Sequence, residues 1–405
     1  MDTRGISKLD LKRRNRRQIL IAIREAGTLA RVDIAGRLAL TRAAVTIITN
    51  QMIQQNILEE FNSAKEDPTL PKKKGRKKTL IRINPDYKFV LGAVISEDYI
   101  SVGLCNLGGE VLDKTFLPLT GSIEKPEIVA FIVQSCKELI SQKSSLNPKQ
   151  ILGLGVGIVP QRWEQMQGEE GEHGVTFPKL CYLLEMELGI PVQCSSAVGL
   201  YGLANTDFRS PDSGNQLLIY SGKEYHTAVI TNNFLNTEYN TDSKAINRYI
   251  ITPGGLPAKG YPDGSVFAEL SKGVLIARGA EILGRPADEV RISDIHDAYR
   301  AGDKQIKKLL DSTADKLALL VYNIAVLHGA KRVILQSFEM IPETEKRMRT
   351  LVKKLGKADA EPIELLISPL DPEHSFLAGG CLAVEKLFFE TGGMLRNEPA
   401  AGGYN

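Results

Sequence analysis

The sequence predicts an α/β protein with a small helical head and a larger body of two similar lobes. Two observations carry this. The first is charge. Residues 1–85 hold 19 Lys+Arg and 8 Asp+Glu, a charge of +11, whereas the rest of the 405 residues hold 32 and 40, a charge of −8. A basic head on an acidic body points to a module that binds a polyanion. The second is pattern. Apolar residues recur at helical spacing through the head, and from Phe89 a strand triplet followed by alternating helices and strands occurs twice.

Composition bounds the rest. With 43% hydrophobic and 24% charged residues the chain is globular, which excludes gross disorder. The length implies two or three domains. No apolar run approaches the roughly 20 residues that span a bilayer. The start MDTRGISKLDLKRRNRR lacks a signal peptide's apolar segment, so a soluble cytoplasmic protein is expected, with no membrane partner. Cys105, Cys136, Cys181, Cys194 and Cys381 are far apart and show no CxxC spacing, which argues against disulfides and a zinc site.

In the head, three helices are expected between residues 15 and 58. The first runs about Asn15–Glu25, with Ile19, Leu20 and Ile23 inward and Gly27 as its stop. The second runs about Val32–Leu38. After the turn Ala39-Leu40-Thr41, the third runs about Arg42–Gln55, with Val45, Ile48 and Met52 on one face and Thr41 as N-cap. Arg42, Ala43, Thr46, Thr49 and Asn50 are assigned to its outer face. Two short helices joined by a tight turn form a helix-turn-helix, whose second helix enters the major groove. Ile57–Phe61 and Thr79–Ile83 read as strands flanking Lys72-Lys73-Lys74-Gly75-Arg76-Lys77-Lys78, a hairpin with a basic tip: the wing of a winged helix. Lys12-Arg13-Arg14-Asn15-Arg16-Arg17 is a second basic cluster. Charge runs are most often solvated faces. Here helix spacing, wing strands and two flanking clusters coincide, so the cations are expected on phosphates. The DNA-binding set is Arg16, Arg17, Arg31, Thr41, Arg42, Ala43, Thr46, Thr49, Asn50, Arg76, Lys77 and Lys78.

In the body, the strands FVLGAVI, YISVGLCNL and EVLDKTFLPL come first. Helix 125–141, strand 151–159, helix 179–188, strand 192–194 and helix 197–204 follow. A second strand group starts at 217–220 and 227–231. Helix 303–328, strand 332–335, helix 344–355, strand 364–368 and helix 375–388 close the body. Two such lobes leave a cleft between them. The Gly/Pro-rich segment 391–405 is expected to be a flexible tail.

These residues resemble the ROK family (repressors, open reading frames, kinases), in particular its repressor branch. The resemblance rests on NRRQILIAIREAGTLARVDIAGRLALTRAAVTIITNQMIQQNILEE and on GRKKTLIRINPDYKFVLGAVI. It extends through GLGVGI, ELGIPV, ELSKGVLIARGAEIL, IHDAYRAGDKQIKKLL and SFLAGGCLAVEKLFF, nearly the whole chain. It implies a winged helix-turn-helix over 1–85 and two ribonuclease-H-like lobes of the actin and sugar-kinase type. The first lobe covers 86–205, completed by helix 375–390; the second covers 206–374. It also implies a repressor released from its operator by a sugar or a protein partner.

The family's functional motifs are mostly absent. Kinases of the family hold ATP phosphates with an Asp-x-Gly-Gly-Thr-like loop; the matching stretch is Val94-Ile95-Ser96-Glu97-Asp98. The Asn-Asp pair, whose Asp is the general base, falls on Ser196 and Ala197, and alanine accepts no proton. Ser195 and Ser196 retain the capacity to bond a hydroxyl, or to cap the next helix. The second phosphate loop is Ser221-Gly222-Lys223-Glu224-Tyr225-His226, without the repeated glycine. The Glu-x-Gly-His motif falls on Ile246-Asn247-Arg248-Tyr249, and the zinc motif near Pro257–Ser265 has no cysteine. GEEGEHG at 168–174, with His173, reads as a solvated loop rather than a cation site. No Walker loop, GxGxxG or HExxH occurs.

The expectation is a DNA-binding regulator, a repressor of carbohydrate-related genes, with no catalytic residues, metal or cofactor. It would bind a pseudo-palindromic operator as a homodimer or dimer of dimers. A sugar-type effector would lie near Ser195, Ser196, Arg248 and Tyr249. The alternatives are a working carbohydrate kinase with a DNA-binding head, and a partner-controlled regulator that senses no small molecule.

Overall fold

The computed structural model describes residues 8–61, 79–119, 125–143, 146–167, 176–207, 214–231, 234–235, 244–358 and 361–394. In the head, helix α1 spans Lys8–Ala26 and begins seven residues before the expected Asn15. Its first turns, KLDLKRR, are good helix formers, and Asp10 sits favourably near the N-terminal dipole. Gly27 ends the helix at φ +70°. Strand β1 (Leu29–Ala30), helix α2 (Arg31–Leu38), helix α3 (Arg42–Gln54) and strands β2 (Leu58–Phe61) and β3 (Leu80–Ile83) follow. The strands form one antiparallel sheet in the order β1-β3-β2. The two residues of β1 are a strand the sequence does not announce. The run expected to form a basic wing tip, with Arg76, Lys77 and Lys78, lies outside the described residues.

The first lobe contains β4 (Phe89–Ile95), β5 (Tyr99–Asn106), β6 (Val111–Pro118), α4 (Lys125–Gln142), β7 (Ile151–Ile158), α5 (Pro160–Gln167), α6 (Phe177–Leu188), β8 (Val192–Ser196) and α7 (Ala197–Asp207). The second contains β9 (Asn215–Ser221), β10 (Tyr225–Thr231), β11 (Phe234–Leu235), α8 (Val266–Leu270), α9 (Lys272–Leu283), α10 (Ile292–Arg300), α11 (Lys304–His328), β12 (Arg332–Gln336), α12 (Pro342–Leu355) and β13 (Glu364–Ile367). Helix α13 (Phe376–Ala383) closes the body and continues as a wider π-type turn over Val384–Phe389. The sheets have the orders β6-β5-β4-β7-β8 and β11-β10-β9-β12-β13. In each, the first three strands are antiparallel and the last two parallel. The two lobes are therefore one topology used twice. Helix α5 is not expected from the sequence, and α8 to α10 fall in stretches visible there only through the family motifs.

Alternation along the central strands explains how the layers stack. On β4, Leu91, Ala93 and Ile95 face a core shared with α4 and α6, while Val90 and Val94 face the other side. On β7 that other side carries Gly153, Gly155 and Gly157, the alternate residues of ILGLGVGI. A strand face without side chains lets a helix backbone come close. A Cβ at Gly155 would overlap the Gly379 carbonyl of α13, and one at Gly92 would overlap the Phe376 carbonyl. Helices α7 and α13 form the layer between the two sheets. Their apolar residues join Leu218, Ile230 and Ile334 of the second lobe to Ile19, Ile23 and Met52 of the head in one continuous cluster.

Thr391–Met394, the first residues of the segment read as a tail, are packed. The Gly393 amide donates to Phe388 O at 2.8 Å, and Gly392 lies against Arg13 and Arg16. Residues 395–405 lie outside the described residues. Cys181 and Cys194, far apart in sequence, meet across α6 and β8. Their thiol hydrogen bond holds Cys181 below its ordinary value and pushes Cys194 well above it. Among the described residues, no helix is long and apolar enough to cross a membrane.

Candidate nucleic-acid interface and interlobe cleft

Helix α3 is set by its ends and its inner face. Thr41 accepts the Ala44 amide at 3.2 Å as N-cap. Ala39 at φ +52° makes the turn from α2. Val45 and Met52 are fully buried in the head. Thr41, Arg42, Ala43, Thr46 and Asn50 are exposed, as expected. Thr49 is not: it is fully buried and its hydroxyl donates to Val45 O at 2.8 Å. Four residues after Val45 is little more than one helical turn, so Thr49 returns to the inner face. Arg31 is turned inward too. Its Nε donates to Thr49 Oγ1 at 3.2 Å, and a terminal nitrogen reaches Asn50 Oδ1 and Glu60 Oε1, each at 3.1 Å. Arg31 thus braces α3 against β2. Ile47, 59% exposed on the outer face, escaped the sequence reading, although its polar neighbours mark it.

The basic cluster of α1 splits in the same way. Arg13 and Arg14 are exposed and Arg17 is partly exposed. Arg16 is 1% exposed and so is not placed to grip phosphate. It shares the face of Ile19, Leu20 and Ile23 at helical spacing. Its Nε donates to Gly392 O at 2.8 Å and a terminal nitrogen to Gln55 Oε1 at 2.9 Å. Arg24 does similar work one face along. It pairs with Glu385 at 2.9 Å, both side chains nearly buried, and lies 4.1 Å over the Phe389 ring. The C-terminal segment therefore locks the head to the body. A mainly apolar cavity of about 220 Å³ remains beside Ile23, Arg24, Pro85 and Phe388.

Between the lobes lies a larger cleft of about 690 Å³. Its walls are the turn Ser96–Asp98 after β4, the hairpin Ser221–Lys223 after β9, and Gln336–Glu339 after β12. These include both stretches that match phosphate loops in the family. Arg162 of α5 fixes the first turn, donating to Ser96 O at 3.0 Å and Glu97 O at 2.7 Å. Burial, and then Asp98 alongside, raise the Glu97 carboxyl above its ordinary value. Lys244 bridges the lobes at the mouth, pairing with Glu164 of α5 and, at 3.1 Å, with Glu224. Burial would raise Glu224, but hydrogen bonds from Tyr261 and Lys244 outweigh it and hold the group low.

The four residues expected around an effector do not meet there: Ser195, Ser196, Arg248 and Tyr249 are all outside the lining of the 690 Å³ cleft. Ser195 and Ser196 end β8, whereas Arg248 and Tyr249 are exposed after β10. The position of the family's general base, Ala197, is fully buried. Asn247 is structural, its amide exchanging bonds with the Tyr225 backbone at 2.9 and 2.7 Å. The loop at the zinc-motif position is held by a carboxylate instead. Glu269 accepts the Leu256 amide at 2.7 Å and pairs with Lys316. Among the described residues, no group of three His, Cys, Asp or Glu is arranged to hold a metal. His173 lies outside the described residues.

No family model matches the chain. A xylose repressor of Caldicellulosiruptor bescii is 26% identical over 148 residues, which is 36% of this chain and 35% of the relative. The chain thus matches about a third of the length of that curated relative. The crystal structure of a ROK family transcriptional regulator, a homologue of the E. coli MLC protein, superposes with a TM-score of 0.68 at 17% identity. It covers 94% of this chain and 99% of its own. A ROK hexokinase from Thermus thermophilus superposes with a TM-score of 0.60 at 15% identity, covering 98% of its own chain but 74% of this one. The regulator thus shares a stretch that the kinase lacks, and its length is that of the head. The chain thus shares the fold of these ROK proteins, and part of its sequence is similar to a xylose repressor.

Proposed function

We propose that the chain is a sequence-specific DNA-binding repressor of sugar-related genes, with a winged helix-turn-helix over 1–85. The observation that carries this is the two-sidedness of α3. Its inner face completes the head core, and its outer face presents Arg42, Ala43, Thr46, Ile47 and Asn50 to solvent. Arg42 and Asn50 suit base edges, and Ile47 and Ala43 suit a thymine methyl. Arg13 and Arg14, with the sequence's second basic run containing Arg76, Lys77 and Lys78, supply phosphate contacts. The chain acts as a dimer on a pseudo-palindromic site, in the cytoplasm. Because the relative is a xylose repressor, operators of pentose genes are the first to test. Footprinting on upstream regions of such genes will show paired protected half-sites about one helical turn apart. Absence of any protected sequence at low salt overturns the reading.

The body acts as a sensor and oligomerisation unit without phosphoryl transfer. Buried Ala197 at the general-base position supports this. ATP turnover with a panel of hexoses, pentoses and amino sugars will match the protein-free rate; sugar-dependent turnover overturns it.

A further inference from the structure

We propose that Cys181 and Cys194 are a modification site of the first lobe, a pair of thiols that a peroxide converts reversibly into a disulfide. The proposal goes beyond the repressor reading and does not rest on it.

The pair sits where α6 lies along β8, the edge strand of the first sheet. Gly189, at φ +66°, ends α6 and turns the chain back so that β8 runs beside the helix. About one turn after Cys181, the Glu185 carboxylate accepts the Val192 amide at 2.9 Å, and Val192 lies two residues before Cys194. This bond sets the register of the helix against the strand. Val192 and Cys194 share a strand face. Cys181 and Cys194 both pack on the core that holds Val192, Leu180 and Leu184. The Cys181 sulfur is in hydrogen-bond contact with both the thiol and the backbone amide of Cys194. Both cysteines are free and only partly buried, so a small oxidant reaches them. The wide sequence spacing that argues against a disulfide is closed by a single turn.

The two thiols are unequal in the way the reaction needs. The hydrogen bond from Cys194 outweighs burial and holds Cys181 below its ordinary value; the same bond, together with burial, pushes Cys194 up. Cys181 is therefore the nucleophile. Its thiolate attacks one oxygen of hydrogen peroxide. An S–O bond forms, the O–O bond breaks, and the departing hydroxide is protonated to water. Cys181 is then a sulfenic acid, and no thiolate remains to hold the Cys194 proton. Cys194 attacks the Cys181 sulfur. The S–S bond forms, the S–O bond breaks, and hydroxide leaves with the Cys194 proton as a second water. The two thiols lose two electrons, and the peroxide takes them. The other cysteines are shielded. Burial pushes Cys105 and Cys136 up to about 12, and Cys381 is 2% exposed.

The test treats the folded full chain with hydrogen peroxide, blocks remaining thiols with N-ethylmaleimide and digests without reductant. Cleavage after Glu185 and Glu187 separates the two cysteines, so mass spectrometry reads the bond as a linked pair of peptides. A linked pair within one chain is expected, lost on adding dithiothreitol. In Cys181→Ser, the remaining Cys194 is expected to react with peroxide about tenfold more slowly than Cys181 does in the wild type. In Cys194→Ser, the first step is expected to persist and to leave a sulfenic acid on Cys181 that dimedone captures. The wild-type reading needs neither variant to fold. No linked pair at peroxide doses that consume the Cys181 thiol, or bonds only between chains, overturns the proposal. Equal peroxide reactivity in Cys181→Ser overturns the assignment of the nucleophile.

Discussion

The head–body junction and the interlobe cleft are both seams between units, and they are built in opposite ways. At the junction, apolar residues run without a break from Ile19 and Met52 to Phe388, and Arg16 and Arg24 meet acceptors from the C-terminal segment. At the cleft, Glu97 sits beside Asp98, Gln336 keeps an orphan oxygen, and the charges that cross the gap are solvated. A junction of the first kind moves head and body as one piece. A seam of the second kind changes shape when something fills it. Helix α13 belongs to both. Residues just before it, Ser368 and Leu370, line the cleft, and the turn that ends it packs into the head.

The contrast breaks most visibly at α13. Gly155→Val puts a branched side chain onto the Gly379 carbonyl, and backbone cannot swing aside as a side chain does. A loss of about 3 kcal/mol or more is expected in urea denaturation of the full chain, at the upper end for overpacking. An effect below about 1 kcal/mol would refute the close approach. Arg24→Ala comes next. It strands Glu385 in a largely buried place and removes the cation from the Phe389 ring. About 3 kcal/mol is expected, and a double-mutant cycle with Glu385→Gln should recover part of it.

How much of this was legible follows from the range of each interaction. Helix α3 was read to within one residue, because its pattern and Thr41 cap are local. Thr49 was misplaced although the same 3.6-residue period that buries Val45 and Met52 also buries it. Arg16 was misplaced because its charge outweighed its position on the Ile19 and Ile23 face. That choice had a reason hidden from the sequence: its acceptor, Gly392 O, lies at the far end of the chain. The alternating glycines of β7 are visible as a motif, but their purpose needs α13 laid across them. The cleft was the least legible part. Gln336 and Ser337 follow an ordinary apolar strand, and nothing local marks the amide oxygen that tertiary packing leaves without a donor.

A carboxylate away from both seams gives the pH reference. Glu269 is buried, which alone would raise it, but Lys316 and the Leu256 amide outweigh burial and hold it below its ordinary 4.5. A depressed folded value contributes stability above 4.5 that is lost as pH falls through the folded value. Glu269→Gln should therefore lower the melting temperature at neutral pH. A loss of about 1–3 kcal/mol is expected for hydrogen bonds to a charged group. The gap to the wild type should close in acid. A pH-independent gap would show that the carboxylate's charge is not what holds the loop.

The smallest effects belong to the cleft. Lys244 crosses it, but its pairs with Glu164 and Glu224 are partly exposed. Lys244→Ala should cost about 1 kcal/mol or less, and the difference should fade in high salt. A loss as large as that of Arg24→Ala would make the cleft a second locked joint. Glu97→Gln should move stability the other way. Its folded value is raised by burial and by Asp98, so the contribution is present below 4.5 and lost as pH rises through the folded value. Wild type and Glu97→Gln should melt together in acid, and the variant should melt higher at neutral pH, where Glu97 is ionised against its surroundings. A variant that melts higher would mark Glu97 as a carboxylate ionised against its surroundings, unlike the paired Glu269. Equal melting at neutral pH would remove that distinction.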